Sequence, residues 1–529
     1  MRKLLLVLFV VFILVVRGEG VIGKEGVETL HSGQLDFELR DWGFRQTNWM
    51  PAESQFRIDQ TTYYTHPEFT NVMTATVITP AQNTADGYIF VAVAAQFYSG
   101  PPAVLMLDDI GEPVYIKTES DNHFVGDFKK QTVNGTDYLT YHAGILSSGF
   151  TYGTSYVLDE NYQIVDTWTI DNNSGSDVHD FLLLDNGHAI LMAYVTIPFD
   201  LSPYGGPING TLIDIVLQEQ DANKNVVFEW HGSQHMPIED TELNLNTTEP
   251  VDYLHTNGIA VDDDGNWLLS HRHFSEITKI SRQTGEIIWR MGGAGNEFTF
   301  TNDIGFFNQH HINRLENGHI SLFDNGNLHN PPHSRAVEYA IDETVKTVTR
   351  VWVYPDDTDE YASAMGNFQR LPNGNSFIGW GTLPKITEVL PDGTVALEML
   401  LNAPNYRAFR YPWEGTPTAD PRAVIRYDAD PTAVTIYTSW NGATDITGYD
   451  IYAGPTTATL SKIKYAPRTG FETTILVTQL PPNTCFFQTK PIHTGSPAPS
   501  SNMMFRVDIP ACQAQLIHLF IPLTTNHPQ

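Results

Sequence analysis

The middle of the chain repeats one short pattern, and that pattern leaves few folds open. Four segments align: HDFLLLDNGHAILMAYV from His179, HTNGIAVDDDGNWLLSHRH from His255, HHINRLENGHISLFDNGN from His310 and GNFQRLPNGNSFIGWGT from Gly366. Each reads as a strand, an Asn-Gly or Asp-Gly turn, and a returning strand. Such dipeptides favour tight hairpins because the central turn positions need positive φ. A second pair of strands follows each hairpin, as in EITKISRQTGEIIWRMGG from Glu276 to Gly293. Four strands per unit recur at roughly 55 to 75 residues. Two earlier stretches, Gly87 to Thr118 and Asp137 to Ile170, bring the units to six. The expected fold class is all-β, a six-bladed β-propeller, which hides sheet edges by radial repetition. The stretch from His31 to Pro80 is expected to supply the strand that closes the ring, and very little helix is expected.

The pattern fades near Trp413. From about Pro421 the strands are short, with turns every eight to twelve residues. That texture predicts a small fibronectin-III-like β-sandwich with Trp440 in its core. The expected organisation is a signal peptide over 1–20, the propeller over 21–415, the sandwich over 416–512 and a tail over 513–529.

The signal peptide rests on Arg2 and Lys3 ahead of the apolar run Leu4 to Val16. That run is too short to span a bilayer but suits a secretory leader. Export is therefore expected, with no stable membrane insertion. Sequons at Asn134, Asn172, Asn209 and Asn246 are the expected glycosylation sites. Net charge is −31, which repels nucleic acid and anionic membranes. Cys485 and Cys512 are the two cysteines; they can pair, but they make no disulfide framework.

Three units begin their first strand with histidine: His179, His255 and His310. In a propeller the first strand of each blade lines the central channel, so equivalent positions meet around the axis. Three imidazoles are thus expected at one mouth. Arg272, in LLSHRHFSE, lies near the same mouth if its hairpin folds back. Its guanidinium fork suits tetrahedral oxyanions, although a surface ion pair is an alternative. Asn257 alternates with His255 and can join the donors. His271 and His273 share a strand face and can ligate a metal. No carboxylate or third histidine completes that set, so neither metal nor cofactor is expected.

Taken together, QHH…NGHISLFDNG, HTNGIAVDDDGNWLLSHRH…KISRQTGEIIWRMGG, QRLPNGNSFIGWGT…TEVLPDGTVALEM and YRAFRYPWEGTP resemble the arylsulfotransferase family, in its fungal-type secreted branch. The resemblance covers roughly residues 60 to 510. It implies transfer of a sulfuryl group from a phenolic sulfate ester to a phenol, without a nucleotide donor. It makes His310 the nucleophile and carrier of a sulfohistidine. Arg272, His255 and His179 become its catalytic companions, with Asn257 and Gln309 as substrate-binding residues. The implied partners are a small aryl sulfate and a phenol. The chain differs from the family pattern at His311, where Asp is usual, and at Ser270-His271-Arg272-His273. Its sandwich is C-terminal, whereas bacterial members carry one at the N-terminus. A non-catalytic binding propeller and a metal-dependent hydrolase are the alternative readings.

Overall fold

The computed structural model describes residues 62–170, 175–356, 359–427, 429–493 and 498–514. The proposed signal peptide, Asn172 and most of the tail lie outside these residues.

Each expected unit forms its own antiparallel sheet of consecutive strands, joined by hairpins. Sheet I contains Tyr88–Val93, Ala103–Leu107 and Pro113–Thr118. Sheet II runs from Phe124–Val133 to Ile164–Trp168, and sheet III from Phe181–Leu183 to Val226–His231. Sheet IV runs from Thr256–Val261 to Ile287–Gly292, and sheet V from His310–Arg314 to Thr347–Tyr354. Sheet VI runs from Asn367–Arg370 to Val395–Leu401. The turn glycines do what the sequence requires of them. Gly318 and Gly374 have φ of +80° and +90°, which only glycine adopts without strain.

Neighbouring sheets bury apolar faces against each other, and the order of packing returns to its start. Phe90 of sheet I meets Phe128 of sheet II, and Trp168 of sheet II meets Leu191 of sheet III. Trp230 and Trp267 share a core between sheets III and IV, and Trp289 and Leu322 one between IV and V. Phe323 and Trp380 join V to VI, while Phe377 and Leu105 join VI to I. The arrangement is propeller-like and almost all β: among the described residues, α-helix is confined to the single turn Gly232–His235 and to residues 510–514.

Closure differs from the expectation. The strand that completes sheet I is Ala408–Tyr411, which pairs antiparallel with Tyr88–Val93. The earlier segment supplies Ala75–Thr79 instead, added to the outer edge of sheet VI beside Val395–Leu401. Both ends of the repeat region thus hydrogen-bond into a sheet made by the other end.

Beyond it, three strands (Arg422–Tyr427, Val434–Ser439, Thr473–Val477) face four (Ile446–Gly454, Ser461–Pro467, Phe486–His493, Met504–Phe505). Val434, Ile436, Ile451 and Phe487 fill the space between them. Trp440 is not in that core. It sits half-buried at the junction with the repeat region, where Nε1 donates to the Ala419 carbonyl at 2.6 Å. Next to it, Asn441 bonds both the N–H and the carbonyl of Ile116 in sheet I. Cys485 and Cys512 form a disulfide. Asn134, Asn209 and Asn246 are exposed.

Candidate active site

The pair His310-His311 shows how one strand start serves two cavities. His310 pairs with Phe323, but regular register resumes only at Asn313 opposite Ser321. His311 occupies the irregularity with φ of +57°. The bulge turns adjacent rings to different cavities. His310 lines a small enclosed one of about 10 Å³, together with His255, His273, Arg272 and Asp252. His311 lines a larger one of about 380 Å³, together with Lys129, Asp180 and Phe409.

Arg272 reaches the small cavity by a route the alternation argument did not foresee. The strand Trp267–His271 ends one residue earlier, and Arg272–Phe274 forms a 3-10 turn. His271 therefore points away, with Nδ1 at 2.9 Å from Thr256 Oγ1 and its ring stacked on Trp230. His273 turns inward. Its Nδ1 donates to the Asp252 carbonyl at 2.5 Å, and its Nε2 accepts from Arg272 Nη1 at 2.8 Å. Arg272 Nη2 donates to the Ser363 carbonyl at 3.3 Å. His273 thus orients the guanidinium fork.

The other expected residues fall in two layers. His255 lies in the cavity wall, and its Nδ1 donates to Asp252 Oδ2 at 2.5 Å. His179 is one layer back. Its ring centroid is 4.8 Å from that of His255, and its Nδ1 bonds Asp177. Asn257 and Gln309 are fully buried and do not line the cavity. The Asn257 amide donates to the Gln309 carbonyl at 2.8 Å, and the Gln309 amide donates to Ser270 Oγ and the Glu276 carbonyl. Both amides tie sheets IV and V together behind the histidines. Beneath them lies a buried ion cluster that the sequence reading did not contain. Lys129 contacts Asp127 and Asp180, both at 2.8 Å, while Arg407 contacts Asp127 at 2.9 Å and Asp180 at 3.4 Å.

Electrostatically, the cavity is built from neutral rings around one cation and one anion. Burial, and then the charge of Arg272, pushes the His310 imidazolium well below the usual histidine range. Burial does the same to His255, followed by His179 and Arg272. Burial lowers His273 to about 3 and raises Asp252 to about 6, so at neutral pH Asp252 is ionised. Asp252, His255 and His273 have ligand atoms within 4.8 Å of one another, the spacing a metal needs. These groups are already bonded to one another and to Arg272, however, and a metal would sit beside a guanidinium. Arg272 is the one cationic donor in the lining, and its fork is the group an oxyanion would meet.

These buried rings also predict acid lability. Burial lowers His142 to about 4 and His271 to about 3, as it does His273. Below about pH 6.5 the unfolded chain binds protons that the folded rings refuse. Stability is therefore full above that pH. Each ring then removes roughly 1.4 kcal/mol per pH unit on the way down to its folded value. Asp252 works in the opposite direction, holding a proton in the fold near pH 5 that the unfolded chain has released, and offsets about one ring. Urea midpoints should fall steeply between about pH 6.5 and 4.5. A flat series would contradict the buried, neutral assignment.

The family model for arylsulfotransferases (ASST) matches residues 129–402, and the chain belongs to that family. No curated protein matches it. Among solved structures it is similar to a protein of unknown function from Bacteroides caccae, at 11% identity over 61% of this chain and 98% of that one, with a TM-score of 0.39. It is also similar to a streptogramin B lyase, at 10% identity over 62% and 98% with a TM-score of 0.31. The β-propeller domain of Cps50 (Swd1) from Myceliophteria thermophila gives 10% identity over 70% and 97%, with a TM-score of 0.32. At such TM-scores these likenesses carry no argument.

Proposed function

We propose that this chain is an exported aryl sulfotransferase of the secreted branch. In this reading the six sheets are propeller blades and the C-terminal strands are a fibronectin-III-like sandwich. A leader over 1–20 would direct export. The observation that carries the activity is the meeting of His310, His255 and Arg272 in one enclosed cavity. The donor is a phenolic sulfate ester and the acceptor a phenol, as the family implies.

His310 attacks sulfur; the N–S bond forms as the S–O bond to the aryl group breaks, and the phenolate leaves with the electron pair. Arg272 faces the non-bridging oxygens, where fixed donors act on charge developing in the transition state. In the second half-reaction the acceptor oxygen attacks the same sulfur and its proton passes to His255, backed by Asp252. His255 hands that proton to the next leaving phenolate. His179 supports the His255 ring from behind. Asn257 and Gln309 act by bracing the two sheets, a role their buried amides fit better than substrate contact.

A cavity of about 10 Å³ is on the scale of one water, so the wall formed by Ser148, Gly149 and Ala364 has to withdraw for a sulfuryl group to enter. That narrowness favours the second reading, a binding propeller without turnover. An aryl sulfate whose phenol is coloured, mixed with a second phenol, separates the two. Transfer should follow ping-pong kinetics, and Arg272→Lys, which keeps the charge but loses the fork, should lower kcat by roughly 10²-fold. Absence of phenol release from the unaltered protein across several aryl sulfates would leave the binding reading.

A further inference from the structure

We propose that Asn325 is a positioning residue that fixes His310 as its Nδ1–H tautomer and leaves Nε2 as the atom that attacks sulfur. The role rests on the sulfotransferase reading; the tautomer itself follows from hydrogen-bond geometry.

Asn325 follows the strand Ile320–Asp324 and is fully buried. Its side-chain nitrogen lies 2.7 Å from the Ala362 carbonyl and 3.0 Å from the Met365 carbonyl. Two carbonyl oxygens accept only, so the NH2 group must face them and the amide cannot be flipped. Its Oδ1 is thereby aimed at His310 Nδ1, 2.6 Å away. An amide oxygen cannot donate, so Nδ1 bears the hydrogen. The far edge of the ring gives the same answer independently. The Met365 N–H points at His310 Nε2 at 3.2 Å, and an N–H only donates, so Nε2 holds a lone pair.

The site's other histidines make the choice of an amide informative. Nδ1 of His179 faces the carboxylate of Asp177, and Nδ1 of His255 faces that of Asp252. A carboxylate behind Nδ1 steadies the cation that forms when Nε2 takes up a proton. That suits a ring that shuttles protons. A nucleophile needs the opposite, and the amide of Asn325 selects the tautomer without drawing in a second proton. When Nε2 bonds to sulfur and the aryl oxygen leaves with its electron pair, the ring becomes cationic while Nδ1–H stays in place. Its bond to Asn325 Oδ1 then becomes charge-assisted and strengthens. On return the N–S bond breaks, its pair reverts to Nε2, and the original hydrogen bond is restored. Met365 N–H occupies Nε2 in the closed state, so this segment must release the ring before attack.

The test uses the whole chain with ¹⁵N-labelled histidine, the His310 signals being assigned by their loss in His310→Gln. At neutral pH the ring should show a protonated Nδ1 and an unprotonated Nε2. An Nε2–H tautomer, a mixture or an imidazolium would overturn the proposal. Charged and titratable groups around the ring are Arg272, His179, His255, His273 and Asp252, and all remain in the second arm. There, Asn325→Asp places a carboxylate behind Nδ1. Both the ring titration and the acid limb of the transfer rate should move up by about one pH unit or more. The new carboxylate acts on the ring only if residue 325 faces Nδ1 as Asn325 does, so an unmoved titration or limb would also overturn the proposal. Should Asn325→Asp fail to fold, the tautomer in the unaltered protein still decides. A single Nδ1–H tautomer in a protein that turns over no aryl sulfate would sink the sulfotransferase reading alone.

Discussion

Mixed with an aryl sulfate and no acceptor, the protein should release one equivalent of phenol in a burst and retain one SO3 group on His310 Nε2. His310→Gln should give no burst, and its transfer rate should fall by roughly 10⁴-fold or more, the usual scale for removing a covalent nucleophile. Glutamine fills part of the same space, so an unchanged melting temperature would separate lost chemistry from lost folding. The expectation is sharp because the cavity offers few alternatives. His273 Nε2 already accepts from Arg272, and His255 is backed by a carboxylate. Label found on His255, or a burst that survives His310→Gln, would reverse the assignment of nucleophile and proton carrier.

Arg407→Met should cost about 3–5 kcal/mol of stability, the scale for stranding one side of a buried ion network. Arg407 is almost fully buried and balances Asp127 and Asp180 together with Lys129. Its removal leaves two buried carboxylates against one ammonium. Arg407 Nη2 also donates to the Asn257 carbonyl at 2.9 Å, so the damage reaches the strand after His255. Combining Arg407→Met with Asp127→Asn restores charge balance and should recover much of the loss. Urea unfolding of the three variants measures this. A single variant within about 1 kcal/mol of the parent would show that the cluster is not a net electrostatic support.

Much of the architecture was legible because hairpin turns are local. The Asn-Gly and Asp-Gly dipeptides mark where strands reverse, and each predicted unit became a separate sheet. Repeat phase also placed His255 and His310 at one cavity, with His179 directly behind. What could not be read depends on contacts between distant segments. Asp177 and Asp252 lie in loops before their histidines, where no periodicity distinguishes them. Asn325 sits in Asp324-Asn325-Gly326, which reads as a turn, and its partners Ala362 and Met365 lie in the connection leading to the next repeat. Strand alternation through His271 to His273 failed because the chain turns at Arg272. The sandwich-like texture puts Trp440 in a core, yet it lies at the junction between two parts of the chain. Nothing in composition indicated that Gln309 and Asn257 would turn their amides to the backbone.

The double closure of the ring has a consequence for how the molecule is made. Tyr88–Val93 emerges early from the ribosome, but its partner Ala408–Tyr411 is translated only after the strands of sheets II to VI. Until then the first sheet shows a bare edge, and Ala75–Thr79 has no mate until Val395–Leu401 is made. A nascent chain with open edges invites pairing with a neighbour on the same message, and chains halted before residue 411 cannot shut. Truncation within sheet VI should therefore produce aggregates rather than a smaller working protein.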